Sequence, residues 1–269
     1  MLVKLYTLIS LLLDCAFCLI FDVFKSPFCL LIVLGLFTGF YLGIIIIHLI
    51  IVAILTLLVN KNKPCEKPSA LYRWFIDYTL EMFLYFARVN LQISGLDKIP
   101  EDKRFLMVSN HLSNLDPLVS IVAFMKFGII YVSKPENFKL PFVGQFIHKS
   151  GFLAIDRENP RNAMRTIHKA TDYVKDDIAS VCIYPEGTRS KTGELLEFKD
   201  GVFYVCKKAL CPVVVVTVKN TQKIAKNSPF KKTDVIINVV DVIYPEAFEE
   251  SSTHELSESV RAMMIDDLK

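Results

Sequence analysis

The fold of this chain is decided by a strand-to-helix turn at residues 105–117, which reads FLMVSNHLSNLDP. The run 105–109 is apolar and short, which is typical of a buried strand. Asp116 followed by Pro117 predicts a helix N-terminus with Asp116 as the N-cap. His111 therefore comes directly after a strand, where an α/β sheet presents the side chains that bind ligands.

On both sides of this turn, short runs rich in β-branched residues alternate with runs of helical periodicity. Such alternation predicts an α/β fold, a mixed sheet flanked by helices. The predicted strands are Val89–Ser94, Phe105–Ser109, Ile129–Val132, Phe152–Ile155, Val181–Tyr184, Val213–Val218 and Val235–Val240. The predicted helices are Pro117–Phe127, Arg161–Lys175, Gly201–Ala209 and Thr253–Leu268.

Residues 1–60 form an apolar segment with few charged side chains, namely Lys4, Asp14, Asp22 and Lys25. The stretch 26–59 has none, and as one helix it would be roughly 50 Å long, well over a hydrocarbon core of ~30 Å. One strongly tilted helix would fit this length. The additional apolar run 5–21 favours two membrane-embedded helices packed as a hairpin, and the segment is predicted to be a membrane anchor.

Two features of the anchor bear on its packing and orientation. Gly35, Gly39 and Gly43 recur at four-residue spacing, which permits close approach of a second helix, although small residues also mark bends. A run of cations follows the anchor: Lys61, Lys63, Lys67 and Arg73. Positive charge beside a span favours the cytoplasmic side, so the following domain is predicted to lie on the cytoplasmic face of the membrane.

A strongly amphipathic helix is predicted over 71–89. Its apolar stripe consists of Leu71, Trp74, Phe75, Tyr78, Met82, Tyr85, Phe86 and Val89. This helix could pack on the soluble domain or lie on the bilayer surface, which its aromatic content would suit. The chain is thus divided into the anchor at 1–60, a linker with the amphipathic helix at 61–92, and an α/β domain at 93–269.

His111 and Asp116 lie five residues apart across the turn and can fold toward each other. A carboxylate bonded to one imidazole nitrogen sets the tautomer, which leaves the other nitrogen free to accept a proton. The pair is therefore a candidate general base with its orienting acid. The alternative is that Asp116 is only a cap and His111 a polar loop residue.

A second strand leads into the polar loop 184–190, which reads YPEGTRS. Arg189 offers a planar fork of donors, Gly187 lets the backbone approach, and Thr188 adds a hydroxyl, a combination that suits an anion. Lys191 and Lys199 add positive charge nearby. The loop is therefore a candidate anion-binding site.

Several segments together resemble the ordered motifs of the glycerolipid acyltransferases, and within them the bacterial-type 1-acyl-sn-glycerol-3-phosphate acyltransferases. They are Asn110-His111 with Asp116, the segment 151–157, the loop 184–190 and the segment 198–201. The likeness covers roughly residues 93–218. Tyr184 stands where phenylalanine is commoner in that family, and Asp200 stands where a second lysine is frequent.

The resemblance implies a role for each matching residue. His111 would be the general base, and Asp116 its orienting partner. The residues implied in binding the acceptor and its phosphate are Arg189, Glu186, Gly187, Thr188, Arg157 and Asp156. Further positions near the substrate are Asn110, Lys134 and Lys199.

The implied reaction is acyl transfer from acyl-CoA or acyl-carrier protein to lysophosphatidic acid at the membrane, giving phosphatidic acid in phospholipid biosynthesis. No cofactor and no metal are expected, because the thioester is already activated and no ligand cluster stands out. Glycerol 3-phosphate or another lysolipid remains open as the acceptor. A membrane lipid-binding protein without catalysis is the non-enzyme alternative.

Other classes lack their sequence signatures. No G-x-S-x-G elbow supports a serine hydrolase, although Ser109 and Ser113 lie near His111. Neither GxxxxGK[ST] nor GxGxxG is present for nucleotide binding. A net charge of +3 spread over both signs gives no support for nucleic-acid binding. Cys15 and Cys18 form a CxxC with no second pair, so reduced structural thiols are expected.

Overall fold

The computed structural model describes residues 1–65 and 67–269. The chain forms two compact units, Met1–Asn62 and Lys63–Lys269. The predicted linker and amphipathic helix lie for the most part in the second unit, together with the sheet.

The first unit consists of helix α1 (Leu2–Ile20), a short 3-10 turn, and helix α2 (Cys29–Leu57). Both helices are long and apolar enough to cross a membrane by length and composition. They pack against each other in antiparallel directions, since Tyr6 meets His48 and Phe17 meets Phe40. The Tyr6 hydroxyl lies 3.0 Å from Nδ1 of His48.

The packed face of α1 is polar, and its buried residues include Tyr6, Ser10, Asp14 and Cys18 at four-residue intervals. The expectation that the glycine repeat of α2 supports this packing is wrong. A Cβ built on Gly35, Gly39 or Gly43 would meet no atom within 4 Å. The contacts between the two helices instead include the Tyr6–His48 hydrogen bond and the Phe17–Phe40 ring contact.

The second unit is built on a mixed sheet of seven strands within the described residues, in the order β1-β7-β6-β2-β5-β3-β4. The strands are β1 (Val89–Ser94), β2 (Leu106–Ser109), β3 (Ile130–Ser133), β4 (Leu153–Ala154), β5 (Val181–Ile183), β6 (Val213–Lys219) and β7 (Thr233–Ile243). β6, β2, β5, β3 and β4 are mutually parallel, whereas β7 is antiparallel to β6 and parallel to β1. The predicted mixed α/β fold is confirmed.

Helices cover the sheet on both sides. They are α3 (Ala70–Phe86), α4 (Asp116–Ala123), α5 (Val143–Lys149), α6 (Pro160–Lys175), α7 (Tyr204–Ala209), α8 (Ile224–Asn227) and α9 (Thr253–Leu268). The core consists of the central strands and the helix faces against them, and Leu106, Val181 and Val213 are fully buried there. Because β2, β5, β3 and β4 run parallel, the loops that follow them all emerge at one edge of the sheet.

Within the second unit, helix α3 packs against α4 and α5, but not through its apolar stripe alone. Trp74, Tyr85 and Phe86 of the stripe are exposed, whereas Arg73 and Asp77 on another face are buried as an ion pair of 2.7 Å. The Arg73 guanidinium also donates to the Ile129 carbonyl. Burial raises the pKa of Asp77 to about 6, against the lowering effect of Arg73.

The prediction that Asp116 is the N-cap of α4 is also wrong. Leu115 occupies that position, and Asp116 is the first helical residue, followed by Pro117. The Asp116 carboxylate does not cap the helix, because it lies back over the preceding loop. Helix α4 ends at Ala123 rather than Phe127, and a 3-10 turn follows it.

Candidate active site

The candidate site lies at the edge of the sheet where β2 and β5 end. His111 follows β2 after one residue, and Glu186 follows β5 after two. Because β2 pairs directly with β5, the two loops are neighbours in space although 75 residues separate them. Side chains from both loops therefore meet at this edge.

The centre of the site is the pair formed by His111 and Asp116. Nδ1 of His111 lies 2.7 Å from Oδ2 of Asp116, whose side chain is fully buried. An ionised carboxylate only accepts hydrogen bonds, so this contact assigns the ring proton to Nδ1. Nε2 is left with its lone pair, which is the arrangement that a general base needs.

Three further donors hold the Asp116 carboxylate in place. Oδ2 accepts the backbone N–H groups of Leu112 at 2.6 Å and Ser113 at 2.7 Å. Oδ1 accepts the hydroxyl hydrogen of Thr221. The carboxylate is thus bonded through both oxygens and cannot rotate without losing several of these bonds. Asp116 therefore holds the imidazole of His111 in one orientation.

Tyr184 stacks on the imidazole of His111, with ring centroids 4.4 Å apart and planes at 24°. The side chain is buried, and burial raises the pKa of its phenol well above the usual value. The stack covers one face of the imidazole and restrains ring rotation. The sequence assigned no role to Tyr184, because a residue at the end of a strand gives no local sign of which ring it will contact.

Glu186 lies in this site, but both of its carboxylate oxygens are used by the protein backbone. Oε1 accepts the N–H of His111 at 2.6 Å, and Oε2 accepts the N–H of Leu196 at 3.0 Å. Only 3 % of the residue is exposed, and burial raises its pKa against the effect of these bonds. The contacts favour a positioning role for Glu186 over direct contact with an acceptor.

Asn110 has a comparable role at the end of β2. Its side-chain amide donates to the Val218 carbonyl at 2.9 Å, and its side-chain oxygen accepts the Val218 N–H at 2.7 Å. Both bonds join the end of β2 to β6. Because the side chain is 1 % exposed and uses both ends for this link, the contacts again favour a positioning role.

The cationic part of the site comes from the loops after β4 and β5. Arg157 is half-buried and donates through Nη1 to the carbonyl of Gly187, and burial lowers the pKa of its guanidinium. Gly187 has a φ of +67°, which an L-residue adopts only with strain. This contact brings the predicted 151–157 and 184–190 segments together.

The remaining predicted residues lie on the loops that follow β3, β4 and β5. Thr188, Arg189, Lys199 and Lys134 are all exposed. Arg189 makes no ion pair or hydrogen bond with the described residues, so its donors are available to a ligand. Asp156 accepts the Asn162 amide at 2.9 Å together with two backbone N–H groups, and it shapes the loop before α6.

The geometry gives no support to a serine nucleophile. Among the described residues, the Ser109 hydroxyl donates to the Asn110 carbonyl, and the Ser113 hydroxyl accepts the N–H of Leu115. Neither hydroxyl is bonded to His111. The described residues also contain no group of three or more His, Cys, Asp and Glu side chains placed to hold a metal ion.

Comparison with known proteins finds acyltransferases similar to this chain. An acyltransferase family model matches residues 90–219. The 1-acyl-sn-glycerol-3-phosphate acyltransferase of Saccharomyces cerevisiae is 30 % identical over 67 % of this chain and 60 % of its own length. The protein of that name from Salmonella typhimurium is 30 % identical over 59 % of this chain and 64 % of its own. The chain thus spans less than two thirds of the length of each of these two relatives.

A solved structure shares the fold. The crystal structure of the 1-acyl-sn-glycerophosphate acyltransferase PlsC from Thermotoga maritima aligns with a TM-score of 0.60 and 24 % identity. The alignment covers 73 % of this chain and 79 % of that one. The chain is thus similar to acyltransferases over residues 90–219, and its mixed α/β sheet is of the kind seen in that structure.

Proposed function

We propose that this protein transfers an acyl chain from a thioester to the free sn-2 hydroxyl of 1-acyl-glycerol 3-phosphate, which gives phosphatidic acid. The observation that carries the proposal is the His111–Asp116 pair, buried and oriented at the sheet edge beside exposed cations. The names of the relatives support this choice of acceptor. Acyl-CoA or acyl-carrier protein would supply the acyl chain.

In the proposed mechanism, Nε2 of His111 removes the proton from the acceptor hydroxyl as its oxygen attacks the thioester carbonyl. The C–S bond then breaks, and the thiolate leaves with the proton from the imidazolium. Asp116 stabilises the imidazolium that forms between these steps. An alcohol and a thioester thus give an ester and a thiol, with no acyl-enzyme on the way.

The acceptor phosphate would bind at the exposed cations of the two loops, with Arg189 as its main partner. A guanidinium presents two parallel donors that match phosphate oxygens. Lys199 and Arg157 lie on the same pair of loops, and the turn at Gly187 sets their spacing. This arrangement would separate head-group binding from the chemistry at His111.

The direct test is acyl transfer by the purified full chain in nonionic detergent. Lysophosphatidic acid, glycerol 3-phosphate and lysophosphatidylcholine are offered in parallel, each with acyl-CoA and with acyl-carrier protein. We expect phosphatidic acid from lysophosphatidic acid. Transfer to another acceptor would replace the proposed substrate. No transfer from a folded protein would favour the lipid-binding alternative.

The first prediction concerns His111, and its variant His111→Ala is expected to reduce turnover by at least about a thousandfold while leaving the fold intact. His254→Ala is the matched control, because His254 forms an exposed pair with Asp200 at 3.0 Å. The control is expected to retain wild-type activity. Similar rates for the two variants would remove His111 as the base.

A further inference from the structure

A cavity lies beside β4, away from His111. It has a volume of about 350 Å³ and is formed by α6, α5, β4 and the start of the second unit. In the sheet order, β5 and β3 separate β4 from β2. None of its lining residues is among the predicted catalytic or acceptor-binding residues.

One side of this cavity is cationic. Arg165 and Lys169 lie one turn apart on α6, and both line the cavity and are exposed. Neither forms an ion pair within the described part of the chain, although Lys169 lies over the Tyr173 ring at 5.7 Å. The described lining contains no Asp or Glu, so nothing in it neutralises these two charges.

Tyr173 supplies an unused donor in the same place. Only 4 % of the residue is exposed, and its hydroxyl has no hydrogen-bond partner among the described residues. A buried hydroxyl without a partner is costly, and a bound ion or water is one explanation for such a group in a native structure. Tyr173 lines the cavity one turn beyond Lys169, so a ligand held by the cations would lie on the same face of α6.

The opposite side of the cavity is apolar, lined by Phe138, Phe152 and Leu153. A ligand there would combine an anionic group with adjoining carbon. A water molecule takes up about 30 Å³ in the liquid, so the cavity has room for roughly a dozen groups of that size. A phosphate with its glycerol contains a similar number of non-hydrogen atoms. Acyl chains would extend from the opening of the cavity.

We propose that this cavity binds the phosphate-bearing head group of a glycerolipid at a site distinct from His111, although residues 152–154 in its lining belong to the 151–157 segment. Arg165 and Lys169 would bind the phosphate, and the Tyr173 hydroxyl would donate to it or to the glycerol. The rings of Phe138 and Phe152 would contact the glycerol carbons. Binding at this cavity requires no turnover and is independent of the acyl-transfer proposal.

Cys65 provides a local readout, because it lines the cavity and is partly exposed. The full chain in nonionic detergent is alkylated with N-ethylmaleimide, and the rate at Cys65 is followed by peptide mass spectrometry. Dioctanoyl phosphatidic acid, dioctanoyl glycerol and inorganic phosphate are compared at equal concentrations. We expect only dioctanoyl phosphatidic acid to slow alkylation of Cys65 strongly.

Variants test the assignment of the cations and the hydroxyl. In Arg165→Gln/Lys169→Gln, the concentration of phosphatidic acid needed for protection is expected to rise at least about tenfold, because charge-assisted hydrogen bonds are lost. Tyr173→Phe is expected to raise it less. Arg161→Gln/Lys175→Gln removes the same charge from α6 outside the cavity and is expected to behave as wild type.

Three results would overturn the proposal. Alkylation of Cys65 at the same rate with and without phosphatidic acid would show that the cavity is not occupied. Equal protection by dioctanoyl glycerol would show that the cations are not used. Equal protection by inorganic phosphate would show that the cavity binds small anions and does not recognise a glycerolipid. None of these readouts depends on catalysis, so they are distinguishable from a failure of the acyl-transfer proposal.

Discussion

At the residue scale, the orientation of the His111 imidazole depends on side chains from several segments. Asp116 bonds to Nδ1, Thr221 bonds to Asp116, and Glu186 holds the backbone of His111. Tyr184 covers one face of the ring. The position of Nε2 is therefore set by four side chains from three segments of the chain.

Thr221 is predicted to be a positioning residue for the general base. Thr221→Val removes the hydroxyl that donates to Asp116 while keeping the shape of the side chain. We expect kcat to fall about tenfold with little change in KM, since one hydrogen bond to a charged group contributes ~1.5–3 kcal/mol. Thr221→Ser is expected to restore most of kcat. Equal loss in the Ser and Val variants would show that packing, not the hydrogen bond, is what matters.

Arg189 is predicted to bind the acceptor phosphate. Arg189→Gln is expected to raise the KM for lysophosphatidic acid about tenfold or more, because a charge-assisted contact distant from the reacting hydroxyl is lost. Steady-state kinetics with varied acceptor would measure this change. Arg104→Gln is the control, since Arg104 is bonded to Asp177 elsewhere on the surface. An unchanged KM would indicate that the phosphate binds to Arg157 or Lys199 instead.

At the scale of elements, α3 shows how an amphipathic helix can bury its charged side. Arg73 and Asp77 are one turn apart and form an ion pair that lies against the rest of the second unit. Arg73 also lies 5.8 Å from the ring centroid of Phe152, which provides a favourable surface for a guanidinium. These contacts compensate the burial of charge and leave Trp74, Tyr85 and Phe86 exposed.

Loss of one partner of this ion pair is predicted to destabilise the protein more than loss of both. Arg73→Leu leaves the Asp77 carboxylate buried without its cation, which costs about 3–5 kcal/mol. Arg73→Leu/Asp77→Leu removes both charges and is expected to recover much of this loss. Thermal unfolding of the full chain in detergent would compare the midpoints. A double variant no more stable than the single one would refute this account.

At the scale of the whole molecule, an apolar unit with two membrane-length helices precedes a charged α/β unit. This order is suited to an enzyme whose acceptor and product are lipids. The cations that directly follow α2 would hold the carboxyl end of that helix on the cytoplasmic side. The cytoplasmic location of the second unit is therefore a prediction from the charge pattern alone.

The orientation is predicted to be detectable by labelling a surface cysteine. Lys269→Cys places a thiol at the exposed end of α9. In intact bacterial cells, a membrane-impermeant maleimide is expected to leave this thiol unlabelled, and to label it after the cells are broken. Labelling in intact cells would place the second unit outside. Wild-type protein corrects for its native cysteines.

The local sequence determined most of the secondary structure of this protein. The apolar runs placed the strands within a few residues, and the turn at 105–117 placed His111 at the end of β2. Charge-poor runs of membrane length identified α1 and α2. These features follow from side-chain periodicity and turn chemistry, which act between residues close in the chain.

Only the tertiary structure decided which distant groups meet. Thr221 lies 105 residues from Asp116, and their contact exists because β6 packs beside β2. Asp77 is buried because other elements pack against its side of α3, whereas no element packs closely against the glycine face of α2. Periodicity shows that a helix has two sides, but the free energy of packing decides which side is buried.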